Sequence, residues 1–283
     1  MEYVTLHNGV KMPKLGYGVY QTPPADTQRC VLEALQIGYR SIDTAQAYNN
    51  EEGVGSAITK SGIPREELFI TTKIWISNAG YEKAKASIEE SLKKLETDYI
   101  DLLLIHQPFG DYYGSYRAME EAYKAGKVRA LGVSNFYPDR YLDLFHFSTI
   151  KPAVNQVETH IFQQQKNAIL YMQKNGTQIM SWGPFAEGKN AYFQNPVLQK
   201  IGKAHGKSAA QTALRFLLQK DVVVIPKSVH RNRMEENFQV FDFTLTEEEM
   251  AEISALDTGK SLFFSHYDPD TVEWFLSLVP GER

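Results

Sequence analysis

Cysteine is almost missing from this chain: among 283 residues only Cys30 carries a thiol. One thiol excludes an internal disulfide framework and any CxxC-type metal site. Cys30 falls in the apolar stripe of a predicted helix, where a buried core thiol is expected. Long hydrophobic runs are also lacking, with no apolar stretch of roughly 18 residues able to span a bilayer. Met1-Glu2-Tyr3-Val4-Thr5 has none of the basic-then-apolar pattern of a signal segment, so a cytoplasmic protein is expected. Runs of lysine and arginine are absent and the net charge is −4, which argues against nucleic acid or acidic membrane as partners and leaves any anionic ligand to a local cluster of cations. No Ser/Pro-rich or charge-rich linker interrupts residues 1–283, which read as one domain. No hydrophobic seam demands a second copy, and a monomer is expected.

What is present is a chain with enough apolar material for a sizeable core: 43% hydrophobic and 12% aromatic residues. His7-Asn8-Gly9 between Val4-Thr5-Leu6 and Val10-Lys11-Met12 predicts an N-terminal hairpin, because Asn-Gly adopts the left-handed turn that joins two strands. Candidate strands then run at 15–18, 39–42, 68–72, 100–105, 129–133, 153–156, 178–181 and 222–225. Helical stretches lie between them. Ala84, Ile88, Leu92 and Leu95 fall on one helical face, while Ser208 with Gln211 and Thr246 with Glu249 have the spacing of capping boxes. Strands alternating with helices imply a parallel sheet, and eight repeats suggest its closure into a (β/α)8 TIM barrel, with a doubly wound open sheet as the alternative. Gly16-Tyr17-Gly18 lacks the third glycine and the following helix of a dinucleotide fingerprint, so a Rossmann site is not indicated.

Three strand ends carry reactive side chains. The run into Ile42 is followed by Asp43 and Tyr48, the run 68–72 by Lys73, and the run 101–105 by His106. In a barrel these C-terminal ends share the face that bears the chemistry, so the four residues would converge. Taken singly each has a plainer reading: Tyr48 as packing, Lys73 as a solvated charge, His106 as a satisfied core histidine, Asp43 as a cap.

In their order along the chain these motifs resemble the aldo-keto reductases over nearly its full length. The likeness rests on Gly16-Tyr17-Gly18, Asp43-Thr44-Ala45-x-x-Tyr48, Thr71-Thr72-Lys73, Leu104-Ile105-His106, Gly132-Val133-Ser134-Asn135-Phe136, Asn155-Gln156, Trp182-Gly183-Pro184 and Ile225-Pro226-Lys227-Ser228. Any one is weak, but eight in the family's order are specific. The resemblance implies hydride transfer from NADPH to a carbonyl carbon, with Tyr48 giving a proton to the oxygen. A free phenol titrates near ~10, so a neighbour must tune it, and Lys73 is expected to lower its pKa while Asp43 holds the lysine. His106 would donate a hydrogen bond to the carbonyl oxygen.

The resemblance assigns the cofactor to Gly18, Val19 and Tyr20, to Ser134, Asn135 and Gln156 for the nicotinamide carboxamide, and to Trp182, Gly183, Pro184 and Phe185, with the indole in place of the usual stacking tyrosine. Lys227, Ser228, Val229 and Arg233 would serve the adenosine 2′-phosphate, and Glu236 and Asn237 the adenine. A dianionic phosphate wants a lysine charge and an arginine fork, which favours NADPH over NADH; Arg231 competes with Arg233 for the role.

The pattern departs from the family at Gln107, where many relatives carry a tryptophan beside the substrate. Tyr20, Trp75, His106 and Gln107 are the expected substrate contacts. Pro108 to Gly114 reads as a mobile substrate loop, and the short segment Pro184 to Asn190 suggests an open site. Phe263, Phe264, Tyr267 and Trp274 either close over the pocket or only dock the tail. The branch most resembled includes bacterial diketogluconate and methylglyoxal reductases, which leaves small aldehydes, α-dicarbonyls and sugar-derived ketones as substrates. Two other readings compete: an NADPH-binding regulatory subunit on the same barrel, and a Schiff-base aldolase using Lys73 or Lys227.

Overall fold

The computed structural model describes residues 1–279. Strands β1 (Tyr3–Thr5) and β2 (Lys11–Pro13) form the N-terminal antiparallel hairpin. Eight parallel strands follow: β3 (Tyr17–Gly18), β4 (Ser41–Asp43), β5 (Phe69–Ile74), β6 (Leu102–Ile105), β7 (Leu131–Ser134), β8 (Val154–Glu158), β9 (Gln178–Trp182) and β10 (Val223–Val224). They pair in chain order, and the two edges meet through a parallel Leu15–Val224 bridge, with Gly16 N–H donating to Val224 O at 2.8 Å and Val224 N–H to Lys14 O at 2.9 Å. The sheet therefore closes as the TIM barrel expected from the alternating pattern. Close approach at the closure explains Gly18, where a Cβ would sit 3.0 Å from Ile225 O, and at Gly132 a Cβ would sit 2.5 Å from Val154 O.

Helices α1 (Pro24–Ile37), α2 (Glu51–Ser61), α3 (Tyr81–Lys94), α4 (Tyr112–Lys124), α5 (Pro138–Phe147), α6 (Lys166–Lys174), α7 (Pro196–His205), α8 (Ala209–Gln219), α9 (Arg231–Phe238) and α10 (Glu247–Ser254) surround it, and α11 (Pro269–Ser277) belongs to the C-terminal tail. Both capping boxes form, at Ser208–Gln211 and Thr246–Glu249. No helix among the described residues is long and apolar enough to cross a membrane.

Strand periodicity of two sorts the core into layers. Ile42, Ile70, Leu103, Ile105, Leu131, Val133, Val157, Ile179 and Val224 pack outward against the helices, together with the fully buried Cys30. Phe69, Leu102, Leu104, Ala130, Val154, Met180, Val223 and Ile225 fill the barrel interior, and Leu6 and Met12 of the hairpin region join them as a plug.

Candidate active site

The same period-two alternation selects the site residues. Inward positions on β5 run Phe69, Thr71, Lys73; continuing β6 past Leu102 and Leu104 reaches His106; on β4, β7 and β9 the inward parity ends at Asp43, Ser134 and Trp182, and on β8 it runs Val154, Gln156, Glu158. Register staggers them along the tilted strands of the barrel, with Gly18 beside Asp43, Asp43 beside Thr71, Lys73 beside Leu104, and Ser134 beside Gln156. Asp43 and Lys73 lie inside their strands, whereas the apolar runs predicted ends at Ile42 and Thr72. The ladders continue because the two charges neutralise one another within the barrel.

Lys73 is fully buried and Asp43 nearly so. The ammonium donates to Asp43 Oδ1 at 2.6 Å, to Thr44 O at 2.8 Å and to the Tyr48 hydroxyl at 3.3 Å. Asp43 Oδ2 accepts from Gln156 Nε2 at 2.8 Å. Tyr48 lies on the turn 46–48, partly exposed, with its ring 5.5 Å from that of His106 and 5.0 Å from that of Tyr20. Trp75 meets His106 edge-on at 5.0 Å. The four residues that were only strand-end candidates therefore come together.

Burial dominates the electrostatics. It pulls the Lys73 ammonium down while Asp43 works against it, and the 2.6 Å contact keeps that pair charged. His106 is held well below its ordinary range by burial and by Lys73, so its imidazole is neutral; its Nδ1 is buried without a partner. Tyr48 departs from expectation: its phenol is pushed well above 10 by burial, then by Asp43 and Tyr20. Lys73 does not lower it below the ordinary value, because the Asp43 charge offsets the lysine and little water reaches the hydroxyl. The result is a firmly protonated phenol.

The neighbouring strand ends present amide-sized polar groups. Ser134 Oγ donates to Gln156 O at 3.0 Å, and Asn135, in the left-handed region at φ 62, donates from Nδ2 to His106 O at 3.2 Å. Trp182 donates its indole N–H to Asn135 Oδ1 at 2.8 Å and stacks on Phe264 at 5.8 Å and 24°. Gly183, Pro184 and Phe185 follow on a turn where Ala186, Glu187, Asn190 and Ala191 all have positive φ. Lys189 on that turn donates to Leu262 O at 2.9 Å, so the short segment is tied to the tail.

Across the rim, Gly18 N–H donates to Pro226 O at 3.2 Å and Val19 N–H to Asp43 O at 3.0 Å, bringing 18–20 beside 226–229. Lys227 donates to Gln21 O at 3.3 Å, Ser228 is buried, and Val229 packs against the core. Arg231 is held by Gln36 and Glu235, both at 3.0 Å, whereas the exposed Arg233 has no side-chain partner among the described residues. Glu236 accepts from Ser208 Oγ, and Asn237 is buried.

Residues 6–258 match the aldo/keto reductase family. The chain belongs to the aldo-keto reductases. It is 47% identical over 256 residues to the glyoxal reductase of Bacillus subtilis, covering 90% of this chain and 92% of that one. It is 46% identical over 262 residues to the 9,11-endoperoxide prostaglandin H2 reductase of Trypanosoma cruzi, covering 92% and 93%. Its fold is similar to the crystal structure of an aldo-keto reductase from a Medee basin deep-sea metagenome library, with TM-score 0.92, 44% identity, and 94% of this chain and 98% of that one covered. The protein is thus an oxidoreductase of a family whose chemistry is carbonyl reduction with a nicotinamide cofactor.

The tail of this reductase lies over the C-terminal face of the barrel. Phe263 and Phe264 meet Trp182, and Phe275 of α11 packs on Phe109 at 5.6 Å and reaches Trp75 at 6.4 Å. The tail aromatics divide their roles: Tyr267 donates to Asp139 of α5 at 3.0 Å, and Trp274 is 55% exposed. Sequence reading missed His266 and Phe275, and had Phe109 only as part of the segment Pro108 to Gly114. A cavity of about 850 Å³ lies beside the tetrad rather than over it, between the start of α6 and tail residues 257–267, and reaches the site at Asn135 and Trp182.

Proposed function

We propose that this enzyme uses NADPH to reduce small aldehydes, α-dicarbonyls such as methylglyoxal, or sugar-derived ketones to alcohols, with Tyr48 as the general acid. The observation that carries this reading is the Tyr48 hydroxyl. It accepts a hydrogen bond from Lys73 at 3.3 Å, and its own proton has no acceptor among the described residues. A carbonyl oxygen entering the pocket meets that proton on one side. On the other it meets His106, whose neutral ring, with Nδ1 buried and unpaired, carries its proton on Nε2 and offers it as a donor. As negative charge develops on the oxygen, Tyr48 transfers its proton, and the adjacent Lys73 charge stabilises the phenolate that remains. The reduced nicotinamide supplies the hydride when bound.

The residues present suit that cofactor. Ser134, Asn135 and Gln156 provide the donors and acceptors an amide requires. Lys227 and the unpartnered Arg233 provide a charge and a fork at the rim, which favours the 2′-phosphate of NADPH. The commitment of Arg231 to Gln36 and Glu235 turns the choice towards Arg233. A Schiff-base role for Lys73 is disfavoured, because a nucleophilic amine must be neutral and Lys73 is ion-paired at 2.6 Å. The unclaimed Tyr48 proton favours an enzyme over a regulatory subunit. Turnover of Tyr48→Phe tests the assignment: a near wild-type rate with retained NADPH binding would remove Tyr48 from the chemistry.

A further inference from the structure

The residue after His106 is tied to the tail by a hydrogen bond that spans 159 positions. Gln107 is 6% exposed, and its Oε1 lies 2.6 Å from Nε2 of His266, itself 5% exposed. The His266 ring is stacked on Phe275 at 5.5 Å and 14° and on Phe109 at 5.5 Å and 30°, with Phe264 and Tyr137 at its edges. Burial, aided by Arg140, brings its pKa down to about 4, so the imidazole is neutral and carries one proton. Nδ1 is buried with no partner to receive a proton. The proton therefore sits on Nε2, and only the oxygen end of the Gln107 amide can face it. This fixes the amide's rotation. Its NH2 end has no protein partner among the described residues and is not sealed from solvent.

We propose that Gln107 is a specificity-determining residue whose amide N–H donates to a second oxygen on the carbon next to the reacting carbonyl, and that His266 is the positioning residue that aims it. The pair then favours 2-oxo and 2-hydroxy carbonyl compounds over simple aldehydes of the same length. The proposal rests on the carbonyl-reductase reading above and names what selects the substrate within it. One neutral hydrogen bond made to the favoured substrate and absent from the other is worth about tenfold in kcat/KM.

The test compares 2-oxopropanal with propanal, two three-carbon aldehydes that differ in the neighbouring oxygen, following NADPH consumption. Gln107→Glu keeps an acceptor for His266 and removes the donor; Gln107→Met removes both; His266→Phe keeps the stack and releases the amide. The ratio of the two kcat/KM values is expected to fall about tenfold in both Gln107 variants. In His266→Phe it is expected to fall about threefold, since the amide samples other rotations. A wild-type ratio in Gln107→Glu would reduce Gln107 to a tail anchor and overturn the assignment, even with Gln107→Met impaired or unfolded. An unmoved ratio in His266→Phe would overturn the positioning role. Failure of the unaltered enzyme to reduce either aldehyde would instead overturn the carbonyl-reductase reading, and this proposal with it.

Discussion

The barrel buries a carboxylate at each end and treats the two differently. At the N-terminal end, Asp101 is completely buried and fully claimed: Arg129 donates to one oxygen at 2.7 Å, while Arg65 at 2.7 Å and Ile70 N–H at 2.9 Å meet the other. Nothing there is left to react. At the C-terminal end, Asp43 is equally well paired, to Lys73 and Gln156, but the network stops one step short of closing. Tyr48 accepts from Lys73 and keeps its own proton unclaimed. Both networks repay the desolvation of buried charge with multiple hydrogen bonds. Only one leaves a donor unspent, and on the reading proposed above that residual donor separates a structural cluster from a site.

Tyr48→Phe should break the active end with the largest effect: kcat falls by about a thousandfold while the NADPH dissociation constant, read by tryptophan quenching, stays near the wild-type value. Asp101→Ala should do the opposite. Leaving two arginines without their carboxylate costs about 3 kcal/mol of stability, seen as a lower denaturant midpoint, while kcat of the folded enzyme is retained. A collapse of kcat in a folded Asp101→Ala protein would erase the contrast between the two ends.

The rim sharpens the comparison with a third kind of charge, one held open. Arg233→Ala should raise the NADPH dissociation constant roughly 10- to 100-fold, the worth of a charge-assisted bidentate contact, and leave that for NADH little changed. Arg231→Ala, whose guanidinium is already spent, should barely move either. Equal losses for both nucleotides in Arg233→Ala would take Arg233 out of the phosphate site.

The smallest effect is expected at the tail. His266 has a depressed pKa, so its neutral form favours the folded state and that contribution is fully present above the ordinary value of 6.5. As pH falls from 6.5 towards about 4 the unfolded chain takes up the proton first and the contribution is lost. The gap in Tm between wild type and His266→Phe should therefore narrow across that window, because phenylalanine has no proton to gain. A gap independent of pH would mean that His266 acts through packing alone.

Much of this was legible in the chain. Apolar runs at regular spacing between helical stretches imply the barrel, because each strand must bury both faces and each helix one stripe. Asp43, Tyr48, Lys73 and His106 could be named because strand ends at known spacing deliver side chains to a common face. What stayed hidden depends on contacts between distant segments. No local signal pairs Gln107 with His266, assigns Arg231 to Gln36, or places Phe275 against Trp75. The Tyr48 phenol is the clearest case. Its neighbours were identifiable, but the direction of its shift depends on how much water reaches the hydroxyl and on whether Asp43 or Lys73 prevails there. Periodicity and residue type act along the chain, so the sequence by itself determined the barrel, the parity of its strands and which four side chains, Asp43, Tyr48, Lys73 and His106, meet at one end of it. Desolvation and hydrogen-bond completion act through space, and only the tertiary structure decided which buried charges are closed, which proton is left over, and which part of the tail reaches the residue beside His106.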